Sequence, residues 1–214
     1  MRWRHLFNLI FKRLIDVIGS SSILIIFSPL FFIVSFLIYL KLGRPIFFRQ
    51  IRPGFKGRPI KMLKFRTMKN IYSADGKLLP DHERFTKFGN FLRKYSLDEL
   101  PELFSIFTGH MSFVGPRPLL MEYLERYNTE QARRHEVKPG LTGWAQINGR
   151  NAISWDQKFQ LDIWYVDNWN VWVDIKIIFF TFICIFKATG INYSEKVTMP
   201  VFEGNNNNKV STNH

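Results

Sequence analysis

The first forty residues pass from a mixed basic and aromatic pattern into an unbroken apolar one. Residues 1–13, MRWRHLFNLIFKR, interleave cations with bulky apolar side chains, which predicts a helix lying in a lipid headgroup region. From Val17 to Leu40 no side chain is charged. As a helix these 24 residues would reach about 36 Å, against a hydrocarbon core of roughly 30 Å. Ser28-Pro29 stands in the middle of the run. Proline has no N–H to donate and its ring clashes with the preceding turn, so the helix must bend there. Arg2, Arg4, Lys12 and Arg13 precede the run, and Lys41, Arg44, Arg49 and Arg52 follow it. The positive-inside rule places both flanks on the cytoplasmic side. A helix that enters, turns back at Ser28-Pro29 and returns satisfies this; a kinked ordinary span is the competing reading. The carbonyls freed by Pro29 need a donor, which Ser28 or a nearby serine can supply. A secretory signal is excluded, because the run exceeds an h-region and YLKLGRP follows where a small-residue cleavage site is required.

Beyond the run the periodicity changes. PIFFRQIRPG and RPIKMLKFRTM predict two short strands separated by the turn PGFKGRP. Lys64 and Arg66, two residues apart, share a face of the second strand. Residues 70–82 are polar and predict a surface loop. The pattern over 83–108 is helical, interrupted near Ser96. GHMSFVGPRP reads as a loop, 119–136 as an amphipathic, charge-rich helix, and KPGLTGWAQINGRN as a glycine-rich loop. A helix follows over 154–168. Residues 171–187 are apolar but broken by Asp174 and Lys176. The uncharged part, the 10 residues from Ile177 to Phe186, is too short to span, so it lies in the interface or closes the core. The tail GNNNNKVSTNH predicts disorder.

Composition narrows the class. Hydrophobic residues are 46% of the 214, yet mean hydropathy is −0.08, so most of the chain faces water and a multi-span protein is excluded. The formal charge of +13 requires anionic partners: nucleic acid, anionic lipid or phosphorylated substrates. No nucleic-acid module is recognisable, and such a binder has no use for the apolar run. The single cysteine, Cys184, permits no internal disulfide.

Three stretches carry candidate chemistry. RKYSLDELPEL sets Asp98 beside Glu99. One reading is a capping box from Ser96 to Glu99, with Asp98 complementing the helix dipole. Pro101 opposes it, because it would fall at the fifth helical position. The alternative starts the helix near Pro101 and leaves the acidic pair at its mouth, one carboxylate to attack and one to hold Mg²⁺. VGPRP fixes Arg117 between prolines on an extended turn, suited to bidentate phosphate contact; a solvated arginine in an ordinary turn is equally compatible. GLTGWAQINGRN offers glycines for close backbone approach and ends at Arg150, without a Walker pattern. Lys64, Arg66 and Arg93 add cations.

The ordered motifs KFRTM, SLDELPELF, GHMSFVGPRPLLMEY and RRHEVKPGLTGWAQINGRNAISW resemble those of the bacterial sugar transferases, the monotopic polyprenyl-phosphate phosphoglycosyl transferases. The resemblance covers about residues 8–200 and is nearest to the type that starts glycan assembly with a diacetylbacillosamine phosphate. It implies an α+β fold: a small, mostly helical cytoplasmic domain with short strands, on an N-terminal re-entrant membrane helix and interfacial amphipathic helices. The expected division is 1–42 for the interfacial N-terminus and re-entrant helix, 43–203 for the catalytic domain, and 204–214 for the tail. The implied reaction joins a sugar 1-phosphate from a UDP-sugar to polyprenyl (undecaprenyl) phosphate and releases UMP, an early membrane step of glycoprotein or polysaccharide assembly. By resemblance Asp98 is the nucleophile, Glu99 a Mg²⁺ ligand, and Lys64, Arg93, Arg117, Arg150 and Asp174 substrate-site residues. The implied place is the bacterial cytoplasmic membrane, with the catalytic domain facing the cytoplasm among anionic lipids; a homo-oligomer is compatible. A non-catalytic basic membrane adaptor is the alternative class, and it has no need of the Asp-Glu pair.

Overall fold

The computed structural model describes residues 2–149, 153–187 and 201–204. Arg150 lies outside them, as does the tail beyond Gly204.

The apolar run forms two helices, α1 (Arg2–Ile26) and α2 (Ser28–Leu42), bent by 62° around Phe27. Pro29 cannot donate to the carbonyl four residues back, that of Ile25. Ser28 Oγ donates to that carbonyl instead, at 2.8 Å. Among the described residues no single helix is long and apolar enough to cross a membrane; the bent pair is, by length and composition together. Its outer faces expose Ile25, Ile26, Phe32, Phe36 and Leu40, a larger apolar surface than a water-facing helix pair leaves uncovered.

The inner faces are tied to the rest of the chain. Val34 and Ile38 of α2 pack on Phe65 and Leu92. Buried Asp16 of α1 accepts hydrogen bonds from Ser112 Oγ at 3.0 Å and Phe113 N at 2.9 Å. Arg13 donates to the carbonyls of Ile106 and Phe107, at 2.7 and 2.6 Å. Lys12 pairs with Asp174 at 2.6 Å. Lys12 and Arg13, expected as flanking charges at the membrane, are thus engaged by protein partners.

The strands β1 (Phe47–Pro53) and β2 (Pro59–Phe65) pair antiparallel, with Lys64 opposite Phe48 and Ile60 opposite Arg52. A single 3₁₀ turn, Phe55–Gly57, joins them. Ile60 and Met62 bury against Leu103, Ile106 and Met111. Lys64 continues their face of the strand. Arg66, past the strand's end, departs from the expected shared role. It donates to the carbonyls of Leu42 and Gly43 and so closes the C-terminus of α2.

Residues 81–107 form α3 (Asp81–Arg84), α4 (Lys87–Lys94), a 3₁₀ turn Leu97–Glu99, and α5 (Glu102–Phe107). The interruption falls at Ser96, whose φ is +54°. Its side chain makes no cap bond, so the Ser96–Glu99 capping box does not form. Pro101 precedes α5, as its missing N–H demands.

Three expectations fail in the next stretch. GHMSFVGPRP and the glycine-rich segment are not plain loops: β3 (Ser112–Val114) pairs parallel with β4 (Gly140–Thr142), and α7 (Trp144–Ile147) follows. Strands of three residues are too short to show alternation. Residues 119–136 are not one helix. A 3₁₀ turn, Met121–Tyr123, is followed by α6 (Thr129–Ala132) and a second 3₁₀ turn, Arg133–Glu136. The cause is Asn128, which restarts the chain through a reciprocal cap with Gln131. α8 (Trp155–Asn168) forms where the pattern predicts a helix, and the apolar segment that follows is one helix, α9 (Val171–Lys187). α9 buries Ile177 against Val114 and Tyr165 while Trp172, Phe179 and Phe182 stay exposed, so one face closes the core and the other is open.

Candidate active site

The 3₁₀ turn before α5 brings Asp98 and Glu99 beneath the strand carrying Lys64 and the loop carrying Arg117. Lys64 Nζ donates to Glu99 Oε1 at 2.7 Å, and Arg117 Nη2 donates to the same oxygen at 2.6 Å. Burial opposes the charge on Glu99, but Arg117 and Lys64 together outweigh it and hold the carboxyl well below the usual range. Glu99 Oε2 takes no hydrogen bond from the described residues. Asp98 differs. Its carboxylate forms no hydrogen bond or ion pair among the described residues. Burial and then repulsion from Glu99 raise it above the ordinary aspartate range, while Lys64, Arg117 and Arg93 pull against that rise. A carboxylate with open lone pairs and cations nearby has what a nucleophile needs; its neighbour, neutralised from one side, does not.

Arg117 is held through its backbone. Gly115 and Gly140 bring β3 and β4 into contact, and a Cβ at Gly115 would lie 2.3 Å from the Lys138 carbonyl oxygen. The glycines predicted to permit close approach do so, and the approach is chain to chain. Arg134 Nη2 donates to the Arg117 carbonyl at 2.8 Å and to buried Asp162 at 2.7 Å. The Arg117 side chain remains 42% exposed, so a ligand from solvent can reach it. Arg93 lies beside Asp98: its Nε donates to Thr67 Oγ1 at 2.9 Å and its charge acts on Asp98. Gly89 lets α4 come this close, since a Cβ there would overlap the Thr67 carbonyl oxygen at 1.8 Å.

Asp174 is not part of this cluster. Its carboxylate accepts from Lys12, from Tyr165 Oη at 2.7 Å and from Trp169 Nε1 at 3.1 Å, joining α1 to α8 and α9. The structure therefore does not bring it together with Asp98, Glu99, Lys64 and Arg117, beside which the resemblance placed it. Arg150, the remaining expected cation, lies outside the described residues.

One site residue escaped sequence reasoning. Glu102, 2% exposed, points at Lys64 from the first turn of α5. Its Oε1 lies 3.1 Å from Lys64 Nζ but out of hydrogen-bonding geometry, so the contact is Coulombic. Burial, then Glu99, push it up to about 7, against the pull of Lys64. Its signal was available: Glu102 lies three residues after Glu99, a spacing that can return a side chain to the same side of a turn.

No three His, Cys, Asp or Glu side chains among the described residues form a metal cage. Mg²⁺ commonly takes only one or two protein carboxylates and completes its shell with water and substrate phosphate oxygens. The unbonded Glu99 Oε2 and the neighbouring Asp98 fit that mode. A cavity of about 450 Å³ between α6 and α8, lined by Phe159, Ile163 and Trp164 among others, contains none of these residues.

Residues 7–188 match the family model described as bacterial sugar transferase. The chain is 50% identical over 196 residues to an uncharacterized sugar transferase, EpsL, of Bacillus subtilis, covering 92% of this chain and 97% of that one. It is 42% identical over 185 residues to the UDP-glucose:undecaprenyl-phosphate glucose-1-phosphate transferase of Klebsiella pneumoniae, covering 81% of this chain and 40% of that one. It is 39% identical over 197 residues to a UDP-galactose-lipid carrier transferase of Erwinia amylovora, covering 84% and 41%. The chain thus spans under half the length of these last two relatives and nearly all of the first. With the match extending from the bent apolar helices through the Asp98–Glu99 turn to α9, the chain belongs to the bacterial sugar transferase family.

Proposed function

We propose that this chain is a phosphoglycosyl transferase that moves a sugar 1-phosphate from a UDP-sugar to polyprenyl phosphate, with Asp98 as the nucleophile. The observation that carries this is the contrast within the dyad: Asp98 without a hydrogen bond or ion pair among the described residues, Glu99 neutralised by Lys64 and Arg117. An Asp98 oxygen attacks the β-phosphorus, and the bond from that phosphorus to the bridging oxygen breaks. UMP leaves with the electron pair, and the sugar phosphate stays on Asp98 as an acyl phosphate. An oxygen of the lipid phosphate then attacks the same phosphorus, and the carboxylate of Asp98 is returned. Arg117 and Lys64 offset charge on the phosphoryl oxygens as it grows. Lys64, Arg117 and Arg93 favour the anionic form of Asp98 against burial and the Glu99 charge. Mg²⁺ held by Glu99 supplies further charge neutralisation when bound.

Two finer points belong to the same reading. The relatives named for an activity use glucose and galactose donors, which favours a UDP-hexose over the diacetylbacillosamine donor that the sequence resemblance suggested. The bent α1–α2 pair is read as re-entrant, entering and leaving one leaflet of the cytoplasmic membrane. That brings the lipid phosphate to the cytoplasmic face, where the UDP-sugar is.

The test is UMP release from UDP-glucose, UDP-galactose and UDP-diacetylbacillosamine, each with and without undecaprenyl phosphate. Lipid-dependent release from one donor is the expected outcome. Release from none of them would favour the adaptor.

A further inference from the structure

Arg52 is a cation that the site as described does not use. It sits on β1 on the same face as Gln50 and, across the hairpin, Ile60. That is the core-facing side, and its stem is covered: Nε is buried with no hydrogen-bond partner among the described residues. Its one side-chain hydrogen bond among the described residues runs from Nη2 to Gln50 Oε1 at 2.7 Å. No described carboxylate forms an ion pair with it.

The surroundings are cationic. Pro53, next in the chain, lines one small void with Pro116, Arg117 and Pro118. Burial first, and then the Arg117 guanidinium, disfavour the charge on Arg52. Glu102 is the carboxylate that acts on it, and Glu102 is already drawn to Lys64. The nearby phenols are occupied: Tyr123 Oη accepts from Phe202 N at 3.0 Å, and Tyr127 Oη accepts from Arg134 Nη1 at 3.2 Å. The Arg117 charge opposes that of Arg52, which has no ion pair among the described residues, and the repulsion acts in a medium that screens weakly. An anion with several acceptor oxygens relieves the repulsion and satisfies the open donors. Phosphate has that shape, and arginine's fork matches it.

We propose that Arg52 and Arg117 together form a phosphate subsite, in which Arg52 contacts a substrate phosphate that Lys64 and Glu99 do not reach. The source of the phosphate is either the nucleotide diphosphate or the lipid phosphate, and naming it rests on the reaction proposed above.

Arg52→Gln and Arg52→Lys test this in two arms. In a double-displacement reaction kcat/KM for the UDP-sugar and for the lipid phosphate are measured separately. Arg52→Gln is expected to lower one of them by about 10- to 100-fold and the other by less than about twofold, the size of a lost charge-assisted hydrogen bond. The constant that falls names the source, and Arg52→Lys should recover part of it. Equal kcat/KM values in variant and wild type would overturn the proposal. So would an equal fall in both accompanied by a lower Tm, the mark of a structural role. The second arm needs no turnover: inorganic pyrophosphate should raise the Tm of the wild type more than that of Arg52→Gln. Equal shifts contradict the subsite even if the transferase reading stands. Unequal shifts support it even if no UDP-sugar is turned over.

Discussion

Lys64 and Arg117 both spend a donor on one oxygen of Glu99, and the adjacent Asp98 keeps its lone pairs. The proposed division of labour in the dyad rests on which carboxylate the cations reach, not on the residue types alone. Asp98→Asn keeps shape but removes the oxyanion, so turnover should fall to background while Tm stays within about 1 kcal/mol of wild type in stability terms. Activity surviving in Asp98→Asn would return the residue to a local structural role. Arg117→Lys keeps charge but loses the fork, and kcat/KM should drop about 10- to 100-fold. The same change at exposed Arg49 is the control, expected to be near neutral. Glu102 gives a ligand-free test. Its folded pKa of about 7 lies above the ordinary 4.5, so the unfolded chain gives up this proton first as pH rises. Folding stability attached to Glu102 is then lost progressively between about pH 4.5 and 7 and is constant above. Glu102→Gln removes that loss. Measured without metal, the variant should match wild type near pH 4 and exceed it by up to about 3 kcal/mol at pH 8; a difference that does not change with pH would contradict the buried-anion account.

The element that most shapes the molecule is the bend between α1 and α2. Ser28 Oγ replaces the donor that Pro29 lacks, at the Ile25 carbonyl. Replacing Ser28 with Ala and Pro29 with Leu lets a continuous helix satisfy its own backbone. Single cysteines at positions 8 and 50, in a chain with Cys184 replaced, should both be shielded from an impermeant thiol reagent outside intact cells. In the straightened variant one of them should become accessible. Labelling of one already in the otherwise unaltered protein would mean a true span. The bend was legible in the sequence because proline acts locally, and so were β1, β2 and α8, whose patterns run for several residues. The β3–β4 pair and the break at Asn128 were not. Both depend on contacts between segments: three-residue strands have no period of their own, and Gly115 meets Lys138 only after the chain has returned. Within the site, Asp98, Glu99, Lys64 and Arg117 were readable from motifs and stiff turns. Asp174, named by resemblance alone, is held instead by Lys12, Tyr165 and Trp169, partners that no local pattern reports.

At the scale of the whole molecule, the bent pair and the rest of the chain are joined by polar ties at Asp16, which is buried, and at Arg13 and the Lys12–Asp174 pair, which are partly buried. A buried ion pair contributes little net stability, but removing one partner strands the other. Here Asp174 keeps the hydrogen bonds from Tyr165 and Trp169 when Lys12 is removed, so Lys12→Ala should cost about 1–3 kcal/mol, and Lys12→Ala combined with Asp174→Asn should cost less than the two single changes added together. Additive losses in the double variant would show that the pair is not coupled. These ties hold the apolar helices against the body that carries the dyad, the arrangement that the proposed reaction requires for a lipid phosphate and a UDP-sugar to meet one carboxylate in turn. The measurement that bears most directly on that account uses wild-type protein and UDP-sugar labelled in the β-phosphate, with no lipid acceptor. The account predicts label on the peptide that carries Asp98, and its discharge when undecaprenyl phosphate is added. No label on that peptide, together with kinetics that require both substrates to be bound at once, would contradict it.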